Sequence, residues 1–573
     1  MTLLEAPEKT TTATRLHVTV LTDRCAGCQE CVIRCPTAAL AMDTRRWVAE
    51  ADDALCVGCR QCVRTCPFSA IDVDGPLVVT ERVERSPSHP AALLGDIGEI
   101  RPGLPDWAAA LAEADRCLNC PDPTCVRGCP AHNDIPGFIQ AIKGRDLDAA
   151  HAVLRRTSVL PDVCSRVCDQ SAQCEGACTW SLAGGKPVAI GALERFICDN
   201  VAVPAPARRS QDGGGLSVGI VGSGPAAIGA AWELVEAGAS VTVYEKDAQP
   251  GGLLVWGIPD FTLPQAVAGR PWEQLLAAGV ELRCGSEVRA EDLDRLLDSH
   301  DAVVLAHGAG LPLRLPVPGA DLTGVTDATT FLQRARLALE RGGSVASLIE
   351  LGIEPARVTN AHAPRVIVLG AGNTGMDVAR TARRLGAEAV CVDWFDRRFA
   401  LVRPDELAEA RAEGVDVRFS TTVLRLEGED GHIRRARLAR THQHQAGKRP
   451  KVLSRGAEWL PVDLVVMAMG YRIDPAFSPA LPGAPLRRQA KGLADRRWMA
   501  SGILANPASE FAQHNPVGRL ALGREVGLTA ATVPFGPRLW AAGDALVGPS
   551  TVVESMAQGR RAARAILLAR PTR

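Results

Sequence analysis

The chain has 573 residues, which is long enough for roughly four domains. Hydrophobic residues make up 46% and charged residues 23%, as in ordinary globular proteins. A formal net charge of −1 and an aromatic content of 4% argue against nucleic acid or an anionic membrane as a partner. Residues 1–15 contain no apolar segment, and no apolar run approaches the roughly eighteen residues that span a bilayer. These features predict a cytoplasmic protein without a membrane span.

Cysteines are concentrated at one end of the chain. Sixteen of the nineteen lie before residue 180, where they form regular runs. Thiols are kept reduced in the cytosol, so this density indicates metal ligands rather than disulfides. The chain therefore divides into a metal-rich first third and an α/β remainder.

The first eight cysteines form an internal repeat, because each cysteine of the second run follows its counterpart by 31 residues. Both runs have the spacing of bacterial two-cluster ferredoxins, in which the fourth cysteine of each run ligates the other 4Fe–4S cluster. Short alternating stretches at 39–43 and 70–74 predict the strands of a ferredoxin-like α+β domain over residues 14–80. Zinc is the alternative, but it needs only four ligands and would leave half of these cysteines unused. The predicted ligand sets are Cys25, Cys28, Cys31 and Cys66 for one cluster, and Cys56, Cys59, Cys62 and Cys35 for the other.

Eight further cysteines follow with a different spacing, and they again suffice for two clusters. Residues 81–116 are rich in Pro, Ala and Arg, which predicts a linker followed by a helix. Residues 136–154, between the two runs, have apolar side chains at helical spacing and predict a helix. The runs are Cys117, Cys120, Cys125 and Cys129, and then Cys164, Cys168, Cys174 and Cys178.

The stretches CLNCPDPTCVRGCPAHNDIPGFI and VCSRVCDQSAQCEGAC resemble the N-terminal helical domain of the glutamate synthase small (beta) subunit, which also opens dihydropyrimidine dehydrogenase. The resemblance extends from about residue 117 to the C-terminus, and it implies a helical iron–sulfur domain over residues 100–205. It implies one 4Fe–4S cluster on Cys117, Cys120, Cys125 and Cys178. It implies a second cluster on Cys129, Cys168 and Cys174, with Glu194 as a non-cysteine fourth ligand.

The fourth ligand of that second cluster has alternatives. A carboxylate matches the iron of a sulfide cluster less well than a thiolate does. One alternative is that Glu194 is a solvated helix residue. Another is that Cys164 or Cys198 supplies the fourth ligand. Cys198 lies one helical turn beyond Glu194 and so shares its side of a helix.

Residues 216–245 have the pattern of a strand, a glycine-rich turn, a helix and a second strand that ends at an acid. Gly222 and Gly224 let the backbone approach a pyrophosphate at the helix N-terminus, with Ala227 at the third position of the motif. Glu245 is placed to accept hydrogen bonds from ribose hydroxyls. This combination predicts a dinucleotide-binding unit, and the family resemblance implies that the dinucleotide is FAD.

The resemblance adds further FAD-binding residues. The stretch that contains Gly252 and Leu253 matches the segment after the FAD-binding unit that, in the family, approaches the flavin from behind. Near the C-terminus a strand ends before Asp544, and in the family the equivalent Asp bonds the ribityl or pyrophosphate part of FAD. The resemblance also implies Thr551 as an FAD-binding residue, because in the family the helix that follows it aims its N-terminus at the flavin pyrimidine edge.

A second glycine-rich unit begins with an apolar strand at 366–369. It resembles the family's NAD(P)H domain, which is inserted into the FAD domain. The predicted nucleotide-binding residues of this turn are Gly370, Gly372, Asn373, Thr374 and Gly375.

Nucleotide preference depends on the residues after the second strand of this unit. Asp393 lies 23 residues past the first glycine, and an acid there favours NADH because it bonds the ribose 2′-hydroxyl. The family has an aromatic residue followed by two arginines at this point and uses NADPH. Here Arg397 and Arg398 are displaced along the chain, so both nucleotides stay open.

These parts predict an α/β oxidoreductase with two nested Rossmann-like domains, preceded by the helical and ferredoxin-like iron–sulfur domains. The FAD-binding domain is expected over 214–330 and 466–573, around an NAD(P)H-binding domain at 331–465. Flavin takes a hydride and releases single electrons, and a 4Fe–4S cluster accepts one electron. The chain is therefore expected to pass electrons from NAD(P)H through FAD and four clusters to a ferredoxin or partner-protein acceptor, or in reverse. No acid–base catalytic residue is predicted.

The alternative function is the small subunit of a glutamate synthase, which delivers NADPH electrons to a large amidotransferase subunit. No amidotransferase domain is predicted in this chain. The ferredoxin-like repeat also departs from the usual small subunit, which begins near the second cysteine block, and this favours a different electron partner.

Overall fold

The computed structural model describes residues 16–78, 94–202, 205–207, 214–358, 363–445, 448–453, 456–474 and 538–570. Residues 81–93 of the predicted linker lie outside these residues. One compact unit comprises the described residues within Met1–Glu84, Leu104–Leu154 and Gln173–Leu193, and a second comprises those within Arg85–Gly103, Arg155–Ala172 and Glu194–Arg573. No helix in the described ranges is long and apolar enough to cross a membrane.

The ferredoxin-like repeat folds as two short strand pairs and two short helices. β1 pairs antiparallel with β4, and β2 pairs antiparallel with β3. The strands predicted at 39–43 and 70–74 are therefore confirmed. Apolar residues such as Val18, Leu40 and Ile71 pack with the cysteines into one small core. The elements are β1 (His17–Val20), α1 (Glu30–Ile33), β2 (Leu40–Asp43), β3 (Val48–Ala51), α2 (Gln61–Thr65) and β4 (Ile71–Asp74).

The next part of the chain is helical. The helical conformation predicted over 136–154 is confirmed, but it is divided into two helices. The chain breaks at Gly144 and at Arg145, whose φ is +59°, and the Asp146 side chain then accepts from the Ala149 amide at 2.8 Å as the cap of the second helix. The helices are α3 (Trp107–Asp115), α4 (Thr124–Gly128), α5 (Ile135–Lys143), α6 (Leu147–Arg155), α7 (Pro161–Val167), α8 (Thr179–Leu182) and α9 (Ile190–Asn200).

A first βαβ unit then opens a parallel sheet. It begins where the sequence predicts, with a strand, a glycine-rich turn, a helix and a second strand. The elements are β5 (Ser217–Val221), α10 (Pro225–Glu236), β6 (Ser240–Tyr244), α11 (Leu253–Trp256), α12 (Gln265–Ala277), β7 (Glu281–Arg283), a 3-10 turn (Ala290–Asp292), α13 (Leu293–Ser299), β8 (Ala302–Leu305) and β9 (Leu311–Pro312).

A second parallel sheet follows, with an antiparallel sheet beside it. β10, β18, β11, β12 and β13 form the parallel sheet in that order, and β14 to β17 form the antiparallel one. The elements are β10 (Val325–Asp327), α14 (Ala328–Glu340), α15 (Ser347–Glu350), β11 (Arg365–Leu369), α16 (Asn373–Arg384), β12 (Glu388–Val392), α17 (Pro404–Ala412), β13 (Asp416–Arg418), β14 (Thr421–Glu429), β15 (His432–His442), β16 (Lys451–Val452), β17 (Glu458–Pro461) and β18 (Leu464–Met467), with 3-10 turns at Pro355–Arg357 and Arg397–Phe399.

The chain then returns to the first sheet. The remaining elements are β19 (Tyr471–Arg472), β20 (Leu539–Ala541), α18 (Asp544–Val547) and α19 (Val552–Ala569). β20 pairs in parallel with β8, which gives the order β20-β8-β5-β6-β7. β19 pairs with β9 where the chain crosses between the two sheets. The predicted class of two nested Rossmann-like domains is thereby confirmed.

Two helices close the first of these domains by direct backbone contact. A Cβ on Gly559 of α19 would lie 1.9 Å from the carbonyl oxygen of Ala226 in α10, and one on Gly229 would lie 2.3 Å from that of Met556. Neither position has room for a side chain. The two glycines therefore allow α10 and α19 to pack at backbone distance.

We expect Gly559→Ala to lower the free energy of unfolding by about 1–3 kcal/mol, because the methyl group overpacks the helix contact. Gly269→Ala in α12 is the matched control, since no atom lies within 4 Å of its Cβ position. Helix propensity alone should make that control neutral or up to about 1 kcal/mol more stable. Anaerobic urea unfolding followed by circular dichroism measures both, and equal midpoints would contradict the packing argument.

Candidate functional site

The first predicted ligand set of the repeat is brought together by the fold. Cys25, Cys28, Cys31 and Cys66 line one cavity, next to Gly27. Burial raises the pKa of the Cys31 thiol to about 11, with the neighbouring thiols of Cys25 and Cys28 contributing. The fourth cysteine of the second run thus lies with the first three of the first run.

The second set shows the same exchange. Burial raises the pKa of Cys62 to about 12, and the thiols of Cys59, Cys35 and Cys56 contribute. Cys35 also contributes, after burial, to the raised pKa of the Cys56 and Cys59 thiols. The fourth cysteine of the first run therefore lies among the first three of the second run.

Backbone amides donate to the two exchanged sulfurs in the same way. The amide of Ala39 donates to Sγ of Cys35 at 3.2 Å, and that of Ala70 donates to Sγ of Cys66 at 3.3 Å. Both donors lie four residues past the acceptor, so the bond recurs with the repeat. Hydrogen bonds to ligand sulfurs are one of the means by which a protein sets a cluster's potential.

The helical domain assembles a third set. Burial raises the pKa of Cys125 far above its usual value, and the thiols of Cys178, Cys117 and Cys120 contribute. This is the grouping that the family resemblance implies. Among the described residues, no three His, Cys, Asp or Glu side chains are arranged to hold a single metal ion.

The fourth set takes residues from both compact units. Cys129 and Cys174 are buried in the first unit, and Cys168 and Glu194 are buried in the second. This set stays a prediction.

Glu194 is buried at 7% exposure, so the alternative of a solvated helix residue is wrong. Burial raises the pKa of its carboxyl to about 8, with Asp162 as the second cause. Its Oε1 atom has no hydrogen-bond partner among the described residues. A buried carboxylate oxygen without a partner is costly, and a metal is a group that could satisfy it. The orphaned oxygen therefore fits a ligand role.

Both alternative ligands lie in the same neighbourhood. A hydrogen bond with the Cys164 side chain, followed by burial, raises the pKa of Cys168 well above its usual value. Burial, Asp162 and Glu194 raise the pKa of Cys198 well above its usual value. Both thiols and the Glu194 carboxylate therefore stay candidates for the fourth ligand.

The first glycine-rich turn has the geometry of a pyrophosphate site. Gly222 has a φ of +96°, and a Cβ there would lie 2.6 Å from the carbonyl oxygen of Ala306. At Gly224, where α10 begins, no atom of the described residues lies within 4 Å of a Cβ position. Within this part of the chain the helix N-terminus is therefore open on that side, and its amides can bind an anion there.

Glu245 is held at the end of β6 by two hydrogen bonds. It accepts from the Ser223 hydroxyl and, through Oε1, from the Asp247 amide at 2.9 Å. Ser223 in turn accepts from the Gly251 amide at 2.9 Å. Ser223 is not among the residues predicted from the sequence, although its place between the two glycines of the motif could have indicated it. Gly252 approaches Gly224 closely, since its Cβ position lies 3.1 Å from the Gly224 Cα atom; Leu253 follows it and is 47% exposed.

The C-terminal residues lie at the start of α18 and α19. Asp544 Oδ1 accepts from the hydroxyls of Ser550 and Ser555, the latter at 3.0 Å. Thr551 caps α19, where its hydroxyl and the Glu554 carboxylate form a capping box. These contacts fix the start of the helix that the resemblance directs at the flavin.

The second glycine-rich turn repeats the first. Gly370 has a φ of +105°, and no atom lies within 4 Å of the Cβ position of Gly372, where α16 begins with Asn373 and Thr374. A Cβ on Gly375 would lie 1.9 Å from the Gly370 carbonyl oxygen, so helix and turn pack at backbone distance.

Asp393 braces this turn. Its Oδ2 accepts from the Ala371 amide and its Oδ1 from the Phe395 amide, both at 2.8 Å. Burial raises the pKa of its carboxyl. Beyond it, Arg397 and Arg398 are exposed, and Arg398 is paired with Asp396 at 2.9 Å. No ion pair of Arg397 occurs within the described part of the chain.

Four family models match the chain in order. Models described as 4Fe-4S dicluster domains match residues 17–67 and 55–133. The model for dihydropyrimidine dehydrogenase domain II, 4Fe-4S cluster, matches residues 96–204. The pyridine nucleotide-disulphide oxidoreductase model matches residues 216–497.

Curated relatives match most of the chain. AegA of Escherichia coli (strain K12), which is named as an oxidoreductase, is 31% identical over 80% of this chain, and the chain spans only 65% of that protein. UacF of the same organism, also named as an oxidoreductase, is 30% identical over 95% of this chain and 80% of its own length. The glutamate synthase (NADPH) small chain of that organism is 33% identical over 80% of this chain and 91% of its own length.

The fold and the paired glycine-rich turns define an NAD(P)H-dependent oxidoreductase with FAD and 4Fe–4S clusters. The chain belongs to the glutamate synthase small-chain family. The predicted resemblance and the predicted enzyme class are confirmed. The prediction that FAD and 4Fe–4S clusters are the cofactors is confirmed as well.

No ion pair of Arg397 occurs among the described residues, which leads to a prediction about nucleotide preference. Arg397→Ala should raise the KM for NADPH about tenfold or more and leave that for NADH unchanged, because a charge-assisted bond to the 2′-phosphate contributes about 1.5–3 kcal/mol. Arg398→Ala is the control, since that side chain is already paired. Steady-state kinetics with both nucleotides checks this, and an equal change for both would remove Arg397 from the specificity argument.

Proposed function

We propose that this oxidoreductase carries four 4Fe–4S clusters and passes electrons between NAD(P)H and a ferredoxin or a redox partner subunit. The observation that carries the proposal is the exchange of Cys35 and Cys66 between the halves of the repeat. A two-cluster ferredoxin needs this exchange, whereas a zinc site does not. The acceptor role follows because such a repeat is an electron-transfer module.

Each cofactor has residues that would hold it. The amides at Gly224 and Gly372 would bind the pyrophosphates of FAD and the nicotinamide nucleotide, respectively. Glu245 and Asp393 accept hydrogen bonds from the turns and so hold these amides in position. Bound flavin takes two electrons from nicotinamide and gives them up singly to clusters that accept one each. The protein's part is to place these groups and to tune their potentials.

The relatives support a second candidate function. The match to the glutamate synthase (NADPH) small chain covers 91% of that protein, which favours a large-subunit partner. The ferredoxin-like repeat argues against it, and the match to UacF reaches across 95% of this chain. We therefore place electron exchange with a ferredoxin-type or other redox partner first. The proposed location is the cytoplasm, where thiols that would ligate clusters stay reduced.

Cofactor analysis tests the proposal directly. Anaerobically purified protein should contain about sixteen Fe, about as many sulfides and one FAD per chain. NADPH or NADH should bleach the flavin in stopped-flow and then reduce a viologen. About eight Fe would mean that one cysteine block holds no clusters, zinc in place of iron would overturn the assignment of that block, and an unreduced flavin would refute the hydride-acceptor role.

Glu194 provides a separate test of the fourth ligand set. If its orphaned oxygen binds iron, Glu194→Ala should lose or degrade one cluster, about four Fe, while Cys164→Ala and Cys198→Ala keep it. Low-temperature EPR of the reduced variants, together with iron content, measures this. An intact signal in Glu194→Ala with a loss in either cysteine variant would transfer the ligand role to that cysteine.

A further inference from the structure

Two buried side chains connect the repeat to the helical domain within the first unit. Gln61, the first residue of α2, is 2% exposed, and Thr179, the first residue of α8, is 4% exposed. Oγ1 of Thr179 lies 3.2 Å from Oε1 of Gln61 and 3.4 Å from Sγ of Cys120. The Thr179 hydroxyl thus links Gln61, which lies between cysteines of the first block, to Cys120 of the second block.

The Gln61 amide has a fixed orientation. Its Nε2 donates to the backbone oxygen of Asp122 at 3.3 Å, and only the NH2 end of an amide can donate. Its Oε1 therefore faces Thr179, from which it accepts.

The Thr179 hydroxyl has one proton and two acceptors. A cysteine that ligates iron is a thiolate, so Cys120 in that role can only accept. The proton is donated to Gln61 or to Cys120, and a full bond to one weakens the bond to the other. A hydrogen bond to a ligand sulfur stabilises the more negative, reduced cluster and so raises its potential.

Charged side chains hold this contact in place. Arg34, at the end of α1, forms an ion pair with Asp122 of the helical domain. Arg64 of α2 donates to the backbone oxygen of Cys59 at 3.0 Å.

We propose that Gln61 and Thr179 are positioning residues through which the ferredoxin-like repeat sets the potential of the cluster on Cys117, Cys120, Cys125 and Cys178. This inference rests on the ligand set of the proposed function. Gln61 shares the hydroxyl proton with the Cys120 sulfur, which weakens but does not remove the hydrogen bond to that sulfur and so keeps the potential lower than Thr179 alone would set it. A low potential favours release of an electron from this cluster, and the repeat that lies beside it is the adjacent acceptor.

Redox titration followed by EPR, on the full-length protein with iron and FAD bound, tests the inference. Thr179→Val removes the donor and should lower the midpoint potential of one cluster, whereas Thr179→Ser keeps the hydroxyl and should restore it. Gln61→Met removes the competing acceptor and should shift the same potential upward. Thr65→Val is the matched control, because its hydroxyl donates to the Gln61 backbone oxygen at 2.9 Å; all potentials should stay unchanged.

Iron and sulfide are measured in every variant, so that loss of a cluster is distinguished from a shifted potential. An unchanged potential in Thr179→Val at full iron content overturns the inference, and so does an unchanged or lowered potential in Gln61→Met. If Thr179→Val loses iron, the sign of the shift in Gln61→Met decides alone. Failure of the proposed function has a different signature, about eight Fe in the unmodified protein, and the inference would then fall with it.

Discussion

The contact between α10 and α19 is the constraint on which the nucleotide-binding half depends. An entire domain is inserted between β8 and the strand that pairs with it, so the two parts of the FAD-binding domain are distant in sequence. Parallel pairing of β20 with β8 brings them together on one edge of the sheet. Gly229 and Gly559 then allow the following helix to lie against the first one at backbone distance. α19, which starts after Thr551, is thereby set next to α10, which starts after Gly224.

Buried carboxylates perform the same task in both Rossmann-like domains. Glu245 and Asp393 directly follow the second strand of their units, and each accepts one hydrogen bond from the glycine-rich turn and one from a backbone amide two residues further along the chain. Buried carboxylate oxygens need donors, and the turns supply them from the backbone or a serine. The acid at this position therefore shapes the turn. We consequently expect nucleotide preference to depend on Arg397 more than on Asp393.

Periodic and spaced features were predictable from the sequence. The 31-residue repeat anticipated the exchange of Cys35 and Cys66, and both glycine-rich units begin within a residue of the predicted strands. The break in the helix at Gly144 was missed because apolar spacing alone does not register a short turn, although Asp146 carries a capping signal. The link between Gln61 and Thr179 joins residues 118 positions apart, and no local pattern announces such a contact. The burial of Glu194 also depends on tertiary packing and could not be predicted from its neighbours in the chain.

Because Cys35 lies with the thiols of the second half of the repeat and Cys66 with those of the first, neither half contains four ligands of its own. We therefore expect assembly of the two proposed clusters to be cooperative, since iron delivered to one half would find a complete site only when the other half has folded. Oxidation of Cys35 or Cys66 would remove a ligand from the cluster of the opposite half. Under iron limitation, we expect few molecules to carry one of the two clusters alone.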